Sequence, residues 1–93
     1  MTKYNLETTA SFRKGYRRMQ KRGYDMRLLD AVLQELLAGK TLDAKYRDHP
    51  LKGKHRENRE CHILDDWVLE YRIVKDRLIL IAVMTGTHQD TFE

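Results

Sequence analysis

The sequence predicts an α+β fold of order β-α-α-β-β-β(-α), an antiparallel sheet packed against an N-terminal helical hairpin. Three observations predict it. Residues 12–37 carry apolar side chains at helical spacing, residues 67–74 alternate as a strand does, and residues 77–84 are nearly continuously apolar. Glycines and short polar turns separate these stretches. At 93 residues the chain fits one domain, 1–93, with a single modest core.

Taken in order, residues 4–6 alternate apolar and polar and predict a brief first strand. Thr8, Thr9 and Ser11 then offer alternative N-caps for a helix. Phe12, Tyr16 and Met19 line one face of that helix, and Arg13, Lys14, Arg17, Arg18, Lys21 and Arg22 line the other. The basic face is either a solvated surface or one that meets RNA or an acidic partner. Gly23 supplies a left-handed stop, whereas Gly15 weakens the helix from within. Asp25 caps a second helix with the core stripe Leu29, Val32, Leu33 and Leu36, flanked by Leu28 and Leu37 and ended by Gly39. Residues 40–52 are irregular, and Pro50 biases His49 towards an extended backbone. A loop of this length in a small domain points to function. Residues 56–63 read as a strand, and 67–74 read more clearly as one. Lys75 and Asp76 form a turn, and 77–84 suit a central strand covered on both faces.

Composition narrows the function. The 34% charged and 41% apolar fractions describe a charged surface around a lean core, and the net charge of +4 favours an anionic partner. Cys61 is the only cysteine, so no internal disulfide forms. The N-terminal residues lack a basic-then-apolar leader, and the longest apolar run, 78–84, falls short of the ~20 residues a membrane span needs. A cytoplasmic location without membrane contact is expected.

Chemistry concentrates in residues 48–67 and in Thr85-Gly86-Thr87-His88. His55 lies among charges and reads as surface, while His62, Asp66 and His88 converge on one sheet edge if the strand holding His62 lies beside the last strand, an edge within reach of the 48–51 loop that carries His49. Local metal-ligand spacing is absent, so neither a metal nor another cofactor is expected. Ser11 is a candidate cap, and Cys61 alternates away from His62, which leaves no evident nucleophile. The glycines are scattered and form no phosphate loop. General acid–base chemistry on RNA remains: a base for the ribose 2′-OH, an acid for the leaving 5′-oxygen, and cations around the phosphorane. Imidazoles suit both proton-transfer roles, and Asp66 suits either base or orienting group. Arg59, Lys52 and Lys54 supply positive charge, and Trp67 either stacks a base or fills a strand position.

The pattern Asp48-His49-Pro50-Leu51-x-Gly53, Arg59-Glu60-x-His62, Asp66-Trp67, Thr85-Gly86-Thr87-His88 and Phe92 resembles the YafQ-like toxins of the RelE/ParE superfamily, over essentially the whole chain. The resemblance implies a ribosome-dependent endoribonuclease that cuts mRNA in the A site. It also implies a cognate antitoxin of the DinJ type, which binds operator DNA on behalf of the complex. Family catalytic positions fall on His49, His62, Asp66 and His88, with Trp67 and Phe92 at supporting positions. One departure stands out: an arginine normally precedes Thr-Gly-Thr-His, and here Met84 does. Methionine supplies neither charge nor a strong donor. The alternative is therefore a weakened or inactive toxin that acts mainly in antitoxin binding and operon autoregulation, unless Arg59 or Arg72 compensates. A third reading, a gyrase-poisoning protein, would leave the histidines and Asp66 without a task.

Overall fold

The computed structural model describes residues 2–91, and Phe92, expected at a supporting position, lies outside the described residues. Strand β1 (Asn5–Thr8) leads into helices α1 (Ala10–Lys21) and α2 (Met26–Leu37). A winding segment then reaches the two-residue strand β2 (His49–Pro50), followed by β3 (Arg59–Leu64), β4 (Trp67–Val74), β5 (Ile79–Thr87) and the short helix α3 (His88–Thr91). The strands form one sheet of order β1-β5-β4-β3-β2.

The caps follow the local chemistry. The Thr9 side chain accepts from the Phe12 N–H, Asp25 accepts from the Arg27 N–H, and Gly23 and Gly39 adopt positive φ just past the helix ends. Phe12 and Met19 of α1, and Leu29, Val32, Leu33, Leu36 and Leu37 of α2, bury against Cys61, Ile63, Trp67, Leu69, Tyr71, Leu80 and Ala82. Both helices thus cover the same sheet face, as expected of the hairpin.

Four details differ from the sequence expectation. First, the sheet is mixed, because β1 pairs with β5 in parallel while the other pairs are antiparallel. The chain passes through both helices and the far sheet edge before β5, so no tight turn imposes antiparallel pairing. Second, β3 starts at Arg59 rather than Arg56, since Gly53–His55 winds into a 3₁₀ turn. Third, β5 runs through Thr85-Gly86-Thr87, so that motif belongs to the sheet. Fourth, β5 is covered on one face only: Leu80, Ala82 and Thr85 are buried, whereas Ile79, Ile81, Val83 and Met84 are half-buried. Among the described residues no helix is long and apolar enough to cross a membrane.

Candidate active site

Strand register assembles the site. Glu60 lies opposite Glu70, and Glu70 opposite Met84; one step along, His62 lies opposite Val68, and Val68 opposite Gly86. On the outer edge His49 faces Glu60. Residues paired across strands share a sheet face, so His49, Glu60, His62, Glu70 and Met84 line the face turned away from the helices. Val68, fully buried yet outside the helix-side core, forms its floor.

His62 stands between the other two imidazoles. Its ring lies 6.2 Å from that of His49, roughly stacked, and 5.5 Å from that of His88, edge-on. Glu60 Oε1 approaches His49 Nε2 at 3.7 Å and His62 Nε2 at 3.9 Å. Burial pushes the His62 pKa below the ordinary value, and the Arg47 guanidinium and His88 add to that, against the opposing pull of the Asp65 backbone and Glu60. The imidazole is therefore biased towards its neutral form. Its Nδ1 is buried without a hydrogen-bond partner of good geometry.

The flanking histidines are held by turns. Arg47 adopts a left-handed backbone, with φ of 49°, and its carbonyl accepts from His49 Nδ1 at 2.7 Å. A carbonyl only accepts, so neutral His49 carries its proton on Nδ1 and turns a bare Nε2 towards Glu60. His88 opens α3 and is exposed. Asp90 secures that turn: its Oδ2 accepts from Arg22 Nη1 at 2.9 Å, from the Thr87 N–H at 2.9 Å and from Thr87 Oγ1 at 3.0 Å. Arg22 chiefly, with Thr87, holds the Asp90 pKa down to about 2 against the effect of burial. A Cβ on Gly86 would meet Asp90 Cβ at 2.9 Å, so glycine there lets α3 fold back over the end of β5.

Of the residues singled out in the sequence, His49, His62 and His88 come together and Met84 shares their face, although β3 does not lie beside β5 as their convergence was expected to require: β4 runs between them, and the imidazoles meet across it at the end of the ladder. Asp66 lies in the turn before β4, just beyond the Trp67–Thr87 pair and so at the end of the ladder where His88 begins; its carboxylate accepts from the Tyr24 hydroxyl at 2.9 Å. Arg59 does not join them. It pairs with Tyr71 on the helix-side face, and its Nε donates to Asp48 at 3.2 Å. Period-two alternation separates it from His62, three positions on. Trp67 is fully buried, donates through Nε1 to Thr85 Oγ1 at 2.9 Å and meets Tyr24 edge-on, so it is a core residue and no platform for a base. Lys52 and Lys54 are exposed on the β2–β3 connection, beyond the Pro50–Arg59 pair. Arg72, offered as a substitute cation, pairs with Glu57 at 2.9 Å.

Four contributors had no role assigned from sequence. Glu60 shares a strand face with His62 at a spacing of two, a signal that was present. Thr87 and Asp90 form a reciprocal capping pair readable from their three-residue spacing. Arg47 had no signal, because its position depends on a left-handed turn at a non-glycine residue.

Glu60, His62 and His88 also bring one potential ligand atom each within 4.8 Å of one another. Two imidazoles and a carboxylate suit a divalent transition metal, although the spacing in sequence gives no such hint.

A family model described as bacterial toxin of type II toxin–antitoxin system, YafQ, matches residues 4–93. The chain is 36% identical to the mRNA interferase toxin YafQ of Escherichia coli K12, over 99% of each chain. It superposes on the crystal structure of the E. coli DinJ–YafQ toxin–antitoxin complex with a TM-score of 0.89, at 32% identity, covering 98% of this chain and 99% of that one. A metal-bound toxin from Helicobacter pylori gives a TM-score of 0.90 at 38% identity, covering 99% of this chain and 100% of the other. Matched in sequence and fold along nearly its whole length, the chain belongs to the YafQ family of bacterial toxins of type II toxin–antitoxin systems.

Proposed function

We propose that the chain is an mRNA interferase that cuts mRNA in the ribosomal A site by general acid–base catalysis and acts in the cytoplasm until a DinJ-like antitoxin neutralises it. The observation that carries this reading is the row His49–His62–His88, with Glu60 beside it, on the open sheet face. In-line attack needs a base and an acid on opposite sides of phosphorus, and His49 and His88 flank His62 in that sense. His49, with Nε2 bare, takes the 2′-OH proton as the 2′-oxygen bonds to phosphorus. His88, exposed at the rim, serves as the acid and gives a proton to the 5′-oxygen as the P–O5′ bond breaks. Neutral His62 offers a donor to the phosphorane, the Arg47 guanidinium, paired with Asp65 at 3.5 Å, adds positive charge nearby, and Asp66 orients the end of the ladder. Charge on Lys52 and Lys54 attracts the RNA chain over a longer range. Operator DNA is met only through the antitoxin complex.

The test maps 5′-ends on one defined mRNA, free and ribosome-bound. Cleavage on the ribosome alone is expected, with His88→Ala abolishing it while the fold persists. A fully active His88→Ala would remove the assigned role. A second reading has its own support: Met84 occupies the site row opposite Glu70, where the relatives' arginine would stand. In that reading the chain is a weakened toxin acting mainly through antitoxin binding and operon autoregulation, and wild type cuts poorly while Met84→Arg cuts well.

A further inference from the structure

We infer that Asp48, Tyr71 and Arg59 form a clamp on the helix side of the sheet that positions His49 on the other side, so that Arg59 serves the reaction through His49 and not by touching RNA. This inference rests on the acid–base reading above. The Tyr71 hydroxyl donates to Asp48 Oδ1 at 2.6 Å, and Arg59 Nε donates to the same oxygen at 3.2 Å. Tyr71 is 1% exposed and sits mid-strand in β4, a rigid anchor. Asp48 is bonded directly to His49, and little else holds that segment. β2 has only two residues, and one of them, Pro50, has no N–H to give the ladder. The flanking backbone bond is Leu51 N–H to the Asn58 carbonyl at 3.0 Å, after the histidine. Before it stands the left-handed turn at Arg47, whose carbonyl must meet His49 Nδ1. An Asp48 carboxylate fixed from behind by two donors sets the direction in which His49 leaves the strand edge. Its stacking on His62 and its tautomer follow from that direction.

The sheet register supports the division of labour. Arg59 and Tyr71 face each other on the helix-side face, and His49 and Glu60 face each other on the open one. A guanidinium engaged with Asp48 behind the sheet has no path to a phosphate in front of it. Positioning groups of this kind act on turnover, because a displacement of about 1 Å at a reacting group can cost about 100-fold in rate.

A double-mutant cycle on the full chain, read with ribosome-bound mRNA, tests the clamp. Tyr71→Phe keeps the ring and removes the hydroxyl, and we expect kcat to fall about 10- to 100-fold with KM unchanged. In a His49→Ala background the same change should cost nothing more. Equal losses in both backgrounds would overturn the inference. So would Arg59→Gln raising KM with kcat intact, the signature of a phosphate contact. Asp48→Asn provides a second variant should Tyr71→Phe fold poorly, with the thermal midpoint recorded for each. If His49→Ala cleaves as wild type does, the acid–base role of His49 fails. The clamp is then read by imidazole ¹⁵N shifts: a His49 Nδ1–H tautomer lost in Tyr71→Phe supports it, and an unchanged tautomer refutes it.

Discussion

On the weakened-toxin reading proposed above, Met84 is the residue that limits cleavage. Its position opposite Glu70, in the row that begins at Glu60, means that an arginine there would meet two carboxylates able to hold its guanidinium beside the histidines. Losing one donor aimed at developing charge costs about 100- to 1000-fold in other enzymes, so Met84→Arg should raise ribosome-dependent cleavage by up to that factor. A rate left unchanged would show that the missing guanidinium is not what limits cleavage. The same residues set a competition. A metal ion held by Glu60, His62 and His88 would occupy nitrogens that proton transfer requires. Micromolar Zn²⁺ should therefore inhibit cleavage and a chelator should restore it. Isothermal titration should show His88→Ala binding Zn²⁺ more weakly than wild type. Cleavage that needs the added metal would instead overturn the metal-independent mechanism.

Helix α1 owes its closeness to β5 to a glycine that sequence propensity marks as a weakness. A Cβ on Gly15 would come 2.0 Å from the Thr85 carbonyl oxygen, an approach no side-chain rotation relieves. Gly15→Ala gains about 1 kcal/mol of helix propensity but forces α1 off the strand, so net destabilisation of about 1–3 kcal/mol is expected from denaturant midpoints. A stabilised variant would mean that α1 can shift without cost. Because Thr85 is followed directly by Gly86, Thr87 and His88, the strain should also lower cleavage. The α3 turn offers a second case. Asp90 ties Thr87 to Arg22, so Asp90→Ala frees the segment that carries His88. Cleavage should fall by at least about 10-fold at nearly constant KM, whereas unchanged kcat would show that His88 needs no such restraint.

Across the molecule, the elements that obeyed a period were legible in sequence. Both helices, the Asp25 cap and β4 follow from spacing and local hydrogen bonding alone, whereas the first helix's cap was legible only as one of Thr8, Thr9 and Ser11, of which Thr9 serves. The candidate histidines were legible as residue types, but their neighbours were not. That Arg59 and His62 face opposite ways was readable from their spacing of three positions, whereas the Asp48 and Tyr71 partners of Arg59 come from other segments and left no local signal. Trp67 looked equally apt for stacking and for packing until the helices covered its face. This division into a covered and an open face also fixes the response to acid. His62 takes a proton less readily folded than unfolded, where the ordinary value is 6.5, so the unfolded chain binds more protons as the pH drops through that value. Stability is then highest above about 6.5 and declines as the pH falls towards the depressed folded pKa. Asp90 has the opposite charge type and the same slope: its contribution is complete above the ordinary 3.8 and is lost as the pH falls towards about 2. Urea midpoints between pH 8 and 3 should hold level, fall once below about 6.5, and fall again below about 4. His62→Gln should remove the first step and leave the second, and Asp90→Asn should weaken the second alone. A wild-type midpoint that stays level from pH 7 to 5 would mean that His62 is as readily protonated inside the site as outside it. The neutral imidazole at the centre of the row would then be lost.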